Sequence, residues 1–268
     1  MTQGYFLIAL GKRYIDECKL LLNTIRKVGD NRPVSLLIHP QDEDYAKEVS
    51  GFDKLVEFSP SGQLWEDCQT GFEKYCLYPR INFEKYIPYD ENIIVDSDVL
   101  CQYNPNSVWE YMSKDSYPIG MLGRVYDPNW HWGHIKEVSD AFGKNVPHVH
   151  GGFFYIRKSK FTNEFFQYCT SVFYKYDDYK CKRFFRGGKV DEIIFAIAHS
   201  HFDMNPIPFD AFPVMSFNYD KSIEIPSKLQ TEGGQNLVMN DYIPFIHMFD
   251  KMEGDNFKNL YEKIINDV

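Results

Sequence analysis

The chain has 268 residues, is 44% hydrophobic and 17% aromatic, and carries 29 Lys+Arg against 38 Asp+Glu for a net charge of −9. That length and apolar share can build one large buried core, and the acidic balance argues against nucleic acid or an anionic membrane as the main partner. The N-terminus lacks the basic, apolar and small-residue succession of a signal peptide, and no apolar run reaches the roughly 18 residues that would span a bilayer, so a soluble, cytoplasmic protein without a transmembrane segment is expected.

In chain order, Tyr5-Phe6-Leu7-Ile8-Ala9-Leu10 reads as a short strand that Gly11 ends, before a helix from Tyr14 to Val28. Ile15, Cys18, Leu22 and Ile25 place one apolar stripe on that helix. Val34 to Ile38 predicts a second strand, Gln41 to Ser50 a second helix and Leu55 to Phe58 a third strand. Such alternation belongs to an α/β chain with a mostly parallel, nucleotide-binding type of sheet. Trp65 to Tyr86 reads as helical with an interruption near Pro79, and within Glu91 to Leu100 the Ile93-Ile94-Val95 run reads as a buried strand with Asp96-Ser97-Asp98 at its C-terminal end. Further on, Asn104-Pro105-Asn106-Ser107 caps a helix through Met112, Tyr117 to Val125 is a strand, and Asp127 to His134 is a polar, aromatic loop. Val149 to Arg157 is a strand, Phe161 to Tyr174 and Asp191 to His199 are helices, and the proline-rich tail from Asn205 ends in a helix over Asn256 to Ile265. No linker interrupts this order, so a single domain with an elaborated second half is expected, and no feature specifies an oligomeric state.

The six cysteines contain no C-x-x-C pair and are most simply free thiols. Three histidine pairs, His131/His134, His148/His150 and His199/His201, have no cysteine or carboxylate cluster at matching spacing, which argues against zinc. Asp96-Ser97-Asp98 stands out. Two aspartates two apart arise about once by chance in an acidic chain of this length, and Asp42-Glu43-Asp44 is such a case, a solvated helix start. The later pair emerges at the C-terminal end of an apolar strand, where open α/β sheets place ligands, and can hold a divalent cation.

These pieces resemble the GT-A glycosyltransferases, and within them glycosyltransferase family 8, the group of glycogenin and bacterial galactosyl- and glucosyltransferases. The resemblance implies a Rossmann-like, mostly parallel sheet with helices on both faces. It makes residues 1–100 the nucleotide-sugar half and 101–268 the acceptor-binding, metal-completing half. Ile8 to Tyr14 is similar to the family's opening strand and turn, which assigns Ala9, Leu10 and Tyr14 to the nucleotide, with the Tyr14 ring on the base. Arg80, on the helix before the Asp-x-Asp strand, corresponds to a cation that reaches the nucleotide-sugar. Asp96 and Asp98 become metal ligands and Ser97 a donor contact.

His150-Gly151-Gly152 occupies the place of Asn-Ser-Gly, with Gly151 and Gly152 against the donor sugar and His150 replacing Asn. Asp191-Glu192 resembles an Asp-Gln pair, with Asp191 near the reacting sugar carbon and Glu192 adding a charge; Asp191 also reads simply as a helix N-cap. Ile243 to Lys251, preceded by Phe217-Asn218, is similar to the late segment whose histidine completes the metal shell. That makes His247 the third ligand, while Lys251 is the nearest cation for the diphosphate where the family's Gly and Lys-Pro-Trp are missing. Trp130 and Trp132 are acceptor-contact candidates.

The implied activity is metal-dependent transfer of a hexose from UDP-glucose or UDP-galactose to a hydroxyl of a carbohydrate or glycan acceptor, with retention and with Mn²⁺ or Mg²⁺ as cofactor. Asp191 could stabilise the cationic carbon, attack it, or serve as base, and these roles differ in stereochemical outcome. Other readings are a degenerate member that binds a nucleotide-sugar without turnover, and a nucleotidyltransferase making sugar nucleotides. The latter lacks a glycine-rich, basic loop after the first strand. An aspartyl-phosphate hydrolase is disfavoured because its Asp-x-Asp sits on the first strand with a Thr two residues on, where this chain has Leu100.

Overall fold

The structure, a computed structural model, describes residues 1–114, 118–125, 135–183, 187–208, 214–218, 229–230, 236–237, 243–248 and 256–266. It opens with β1 (Gln3–Ala9), α1 (Lys12–Lys27), β2 (Val34–Ile38), α2 (Glu43–Val49) and β3 (Lys54–Glu57). Next come α3 (Gln63–Asp67), a π-helical turn over Glu73–Leu77, α4 (Tyr78–Arg80) and α5 (Phe83–Tyr86). They lead into β4 (Glu91–Val95), β5 (Val99–Cys101), α6 (Asn106–Lys114), β6 (Ile119–Arg124), α7 (Ile135–Phe142) and β7 (His148–Arg157). After α8 (Lys160–Tyr174) and α9 (Asp191–His201) come β8 (Ile207–Pro208), β9 (Met215–Asn218), β10 (Leu229–Gln230), β11 (Asn236–Leu237), β12 (Phe245–Met248) and α10 (Asn256–Asn266).

A seven-stranded sheet has the order β3-β2-β1-β4-β7-β6-β8, and a three-stranded sheet the order β5-β12-β9. The chain divides into two interleaved compact units. One comprises Thr2–Phe58, Ile93–Asp115 and Phe209–Val268; the other is built from Ser59–Asn92 and Ser116–Pro208.

In the first unit β1 and β2 pair in parallel from Tyr5↔Val34 to Ala9↔Ile38, and β2 pairs in parallel with β3. Every residue of β2 is buried, as a parallel strand covered on both faces requires, and its Val-Ser-Leu-Leu-Ile sequence supplies the apolar run. The predicted α1 stripe is buried, joined by Leu21, and Arg26 and Lys27 sit in the last turn where the helix dipole favours cations. In the small sheet β12 runs antiparallel to β5 and parallel to β9. Leu100, Ile246 and Met248 from that sheet form an apolar cluster with Phe257, Leu260 and Ile264 of α10.

In the second unit β7 pairs antiparallel with β6, which pairs in parallel with β8. Ten consecutive residues of α9, Asp191 to Ser200, are buried, so this helix is wrapped by the core rather than laid on it. Phe154 meets Phe83 and Phe195 edge to face, each at 5.1 Å between ring centroids, the arrangement aromatic quadrupoles favour.

The helical stretch over residues 65–86 is interrupted at residues 68–70 and again at Ile81 and Asn82, just after Pro79, which lies near the end of a continuous helical run over residues 71–80 that includes the π-helical turn Glu73–Leu77. The strand before Asp96-Ser97-Asp98 ends at Val95, as expected, and the turn separates it from β5, a strand of a different sheet.

Candidate functional site

In the first unit, the buried Ile93-Ile94-Val95 run ends at Asp96, and the chain turns, with the Val99 N–H donating to the Asp96 carbonyl at 3.2 Å. β5 then aligns with β12 so that His247 faces Val99, and the Met248 N–H donates to the Asp98 carbonyl at 2.9 Å. This register delivers the imidazole to the aspartates. Asp96, Asp98 and His247 each offer one ligand atom, all within 4.8 Å of one another. His247 Nε2 lies 3.2 Å from Asp98 Oδ1, and its side chain is 5% exposed against 19% for Asp98. Two carboxylate oxygens and one imidazole nitrogen are a donor set that would suit a divalent cation such as Mn²⁺ or Mg²⁺.

Ser97, between the two aspartates, donates its hydroxyl to Glu17 Oε2 at 2.6 Å, and Arg13 Nε donates to Glu17 Oε1 at 3.0 Å. Ala9 closes β1, and Gly11 follows at φ 130°, a backbone state glycine adopts without strain. Tyr14, in the first turn of α1, is 43% exposed.

The second unit holds another polar cluster. Arg80, the last residue of α4, donates through Nη1 to Asp191 Oδ2 at 2.6 Å and to the Gly151 carbonyl at 3.3 Å. Asp191 is 5% exposed. The expected N-cap is displaced by one position: Val190 caps α9, and Asp191 is its first helical residue, with its carboxylate turned to Arg80. Glu192 Oε1 accepts the Gly151 N–H at 2.7 Å, and the Gly152 N–H donates to His150 Nδ1 at 3.0 Å. A Cβ on Gly151 would lie 3.1 Å from both Arg80 Nη1 and Glu192 Cγ, so a larger residue would make these side chains give way by a few tenths of an ångström.

Glu73, 1% exposed, belongs to the support of this cluster. It forms a reciprocal capping box with Thr70: its N–H donates to Thr70 Oγ1 at 3.1 Å and its Oε2 accepts the Thr70 N–H at 3.2 Å. Oε2 also accepts the Gln69 N–H at 2.7 Å, and Oε1 accepts the Lys189 N–H at 3.0 Å, two residues before Asp191. The Tyr176 hydroxyl accepts the Val190 N–H at 2.9 Å and donates to the Lys182 carbonyl at 2.6 Å. Burial pushes the Tyr176 phenol well above its ordinary range and the Lys189 ammonium below its own.

Sequence reasoning missed Glu17, Glu73 and Tyr176. The Thr-x-x-Glu spacing signalled Glu73; nothing in the sequence ties Glu17 to Ser97. Lys251, Trp130 and Trp132 lie outside the described residues, and Phe217-Asn218 is described only as backbone of β9.

No family model matches the sequence. No curated protein matches it either. Solved structures do. The galactosyltransferase LgtC in complex with donor and acceptor sugar analogues is 11% identical, covering 98% of this chain and 96% of that one with a TM-score of 0.63. Mouse xyloside xylosyltransferase 1 in its apo form is also 11% identical, covering 92% and 97% with a TM-score of 0.58. The bifunctional glycosyltransferase WbbM is 11% identical over 99% of this chain and 50% of its own, with a TM-score of 0.61. With its seven-stranded, mostly parallel sheet, the chain has the GT-A glycosyltransferase fold.

Proposed function

We propose that the protein is a metal-dependent glycosyltransferase of the family 8 type, moving a hexose from UDP-glucose or UDP-galactose to a hydroxyl of a carbohydrate acceptor with retention. The observation that carries this reading is the convergence of Asp96, Asp98 and His247 in a chain of GT-A fold. Asp96, Asp98 and His247 would hold Mn²⁺ or Mg²⁺, which would supply positive charge to the donor's diphosphate and make UDP a better leaving group.

The chain's own groups take the other tasks. Tyr14, half-exposed at the start of α1, offers a ring face to the base, and Ala9 and Leu10 offer backbone at the end of β1. Gly151 and Gly152 admit the sugar close to the β7 backbone. Asp191, fixed by Arg80, presents an oriented carboxylate to a carbon that gains positive charge as the glycosidic bond lengthens. Arg80 and Lys251 add cationic character for the phosphates. The engagement of Glu192 with the Gly151 N–H favours one second reading, a protein that binds the donor without turning it over.

Calorimetric titration of UDP with and without Mn²⁺, on the native chain and on Asp98→Ala, tests the assignment. Binding that needs both the cation and Asp98 is expected, followed by hydrolysis or transfer from a UDP-hexose. Metal-dependent binding without either reaction selects the second reading. UDP binding indifferent to Mn²⁺ removes the trio from the mechanism.

A further inference from the structure

We infer that Glu17 is a positioning residue for the cation site, acting through the hydroxyl of Ser97. This inference rests on the cation reading above. The turn from Asp96 to Asp98 must hold two like charges close together before a cation arrives, an arrangement that electrostatic repulsion opposes. Its two ends are tied by backbone bonds, from the Val99 N–H to the Asp96 carbonyl and from the Met248 N–H to the Asp98 carbonyl. The tip is held by a side chain: Ser97 Oγ donates to Glu17 Oε2 at 2.6 Å, a short hydrogen bond of the charge-assisted kind.

Glu17 is itself fixed. It lies on α1, is 8% exposed, and its other oxygen accepts from Arg13 Nε one helical turn away at 3.0 Å. Glu17 is not a member of the converging trio. Its carboxylate therefore orients the residue between two ligands, as outer hydrogen-bond partners of metal-binding groups commonly do. The spacing carries a chemical requirement: position 97 needs a hydroxyl donor small enough to fit the turn, and position 17 an acceptor.

The test is Mn²⁺ affinity measured by calorimetry in the absence of nucleotide on the native chain, Ser97→Ala, Glu17→Ala and Glu17→Gln. Thermal melts of the metal-free proteins accompany it. Ser97→Ala and Glu17→Ala are expected to weaken Mn²⁺ binding about tenfold. Glu17→Gln, whose amide oxygen still accepts from Ser97, should recover most of that loss. Amide hydrogen exchange at Ser97, Asp98 and Val99 of the metal-free protein should speed up in Ser97→Ala while the Leu36 and Leu37 amides keep native protection. Ser97→Ala binding Mn²⁺ as tightly as a binding native chain overturns the inference and leaves the cation reading intact. A native chain that binds no Mn²⁺ overturns both.

Discussion

The two polar clusters solve opposite problems of charge. In the first unit two carboxylates converge with an imidazole, an arrangement that could hold a cation from solution. In the second a buried carboxylate, Asp191, already has its cation in the guanidinium of Arg80 at 2.6 Å. On the proposed reading one site would import its positive charge and could be emptied; the other carries it in the chain and is paired whenever the protein is folded. The first should thus respond to solution conditions and the second to mutation.

Arg80→Met should have the largest effect on stability, since it strands a carboxylate that is 5% exposed. A loss of about 3 kcal/mol in urea unfolding is expected, the same with or without Mn²⁺. A stability unchanged by this substitution would break the contrast at its firmer end.

At the importing site, Mn²⁺ at about 100 times its Kd should stabilise the native chain by about 2.7 kcal/mol. His247→Ala should abolish this gain, read as the Mn²⁺-induced shift relative to the metal-free variant itself. A cation-induced shift that survives in His247→Ala would remove that residue from the ligand set.

Glu73→Ala takes the acceptor away from the N–H groups of Gln69, Thr70 and Lys189 and should cost about 2 kcal/mol. Because Lys189 leads into Asp191, hydrogen exchange at residues 187–191 should accelerate as well. Exchange confined to residues 69–73 would mean that Glu73 is only a helix cap.

The smallest effects are pH-dependent. Burial raises the Glu84 carboxyl from 4.5 to about 7, and its Oε2 has no hydrogen-bond partner among the described residues. Between pH 4.5 and 7 the unfolded chain ionises Glu84 while the folded chain keeps the proton, so stability falls as pH rises through that window. His199 does the reverse. Burial lowers it from 6.5 to about 4, so the unfolded chain takes up a proton first and stability falls as pH drops through that range. The two terms oppose each other in one window. Glu84→Gln should therefore reveal a stability rising by about 2 kcal/mol from pH 4.5 to 6.5 in a series of urea melts.

How far these features can be read from sequence follows from how local their causes are. β1, α1, β2 and β3 follow from apolar runs and a helical stripe, and the structure reproduces them within a few residues. Asp96, Asp98 and His247 were legible because two of them share one turn and the third ends a short apolar strand in an expected order. The pairing of β12 with β5, which brings them together, is a long-range register that no local pattern encodes. The same holds for Glu17 and Ser97, and for Glu73 and Lys189, whose partners lie far apart in the chain. Asp191 shows the opposite error: local pattern offered a sufficient explanation, a helix cap, and the structure turns the side chain to Arg80 instead.

β12 has both edges occupied, by β5 on one side and β9 on the other, and both neighbours precede it in the chain. His247 is carried on that strand. During synthesis on the ribosome the aspartate turn would emerge long before the strand that completes it, and insertion between two waiting strands is a non-local step of the slow kind. On the proposed cation site, capture of the ion would then mark the end of assembly, because a nascent or half-folded chain lacks the third candidate ligand.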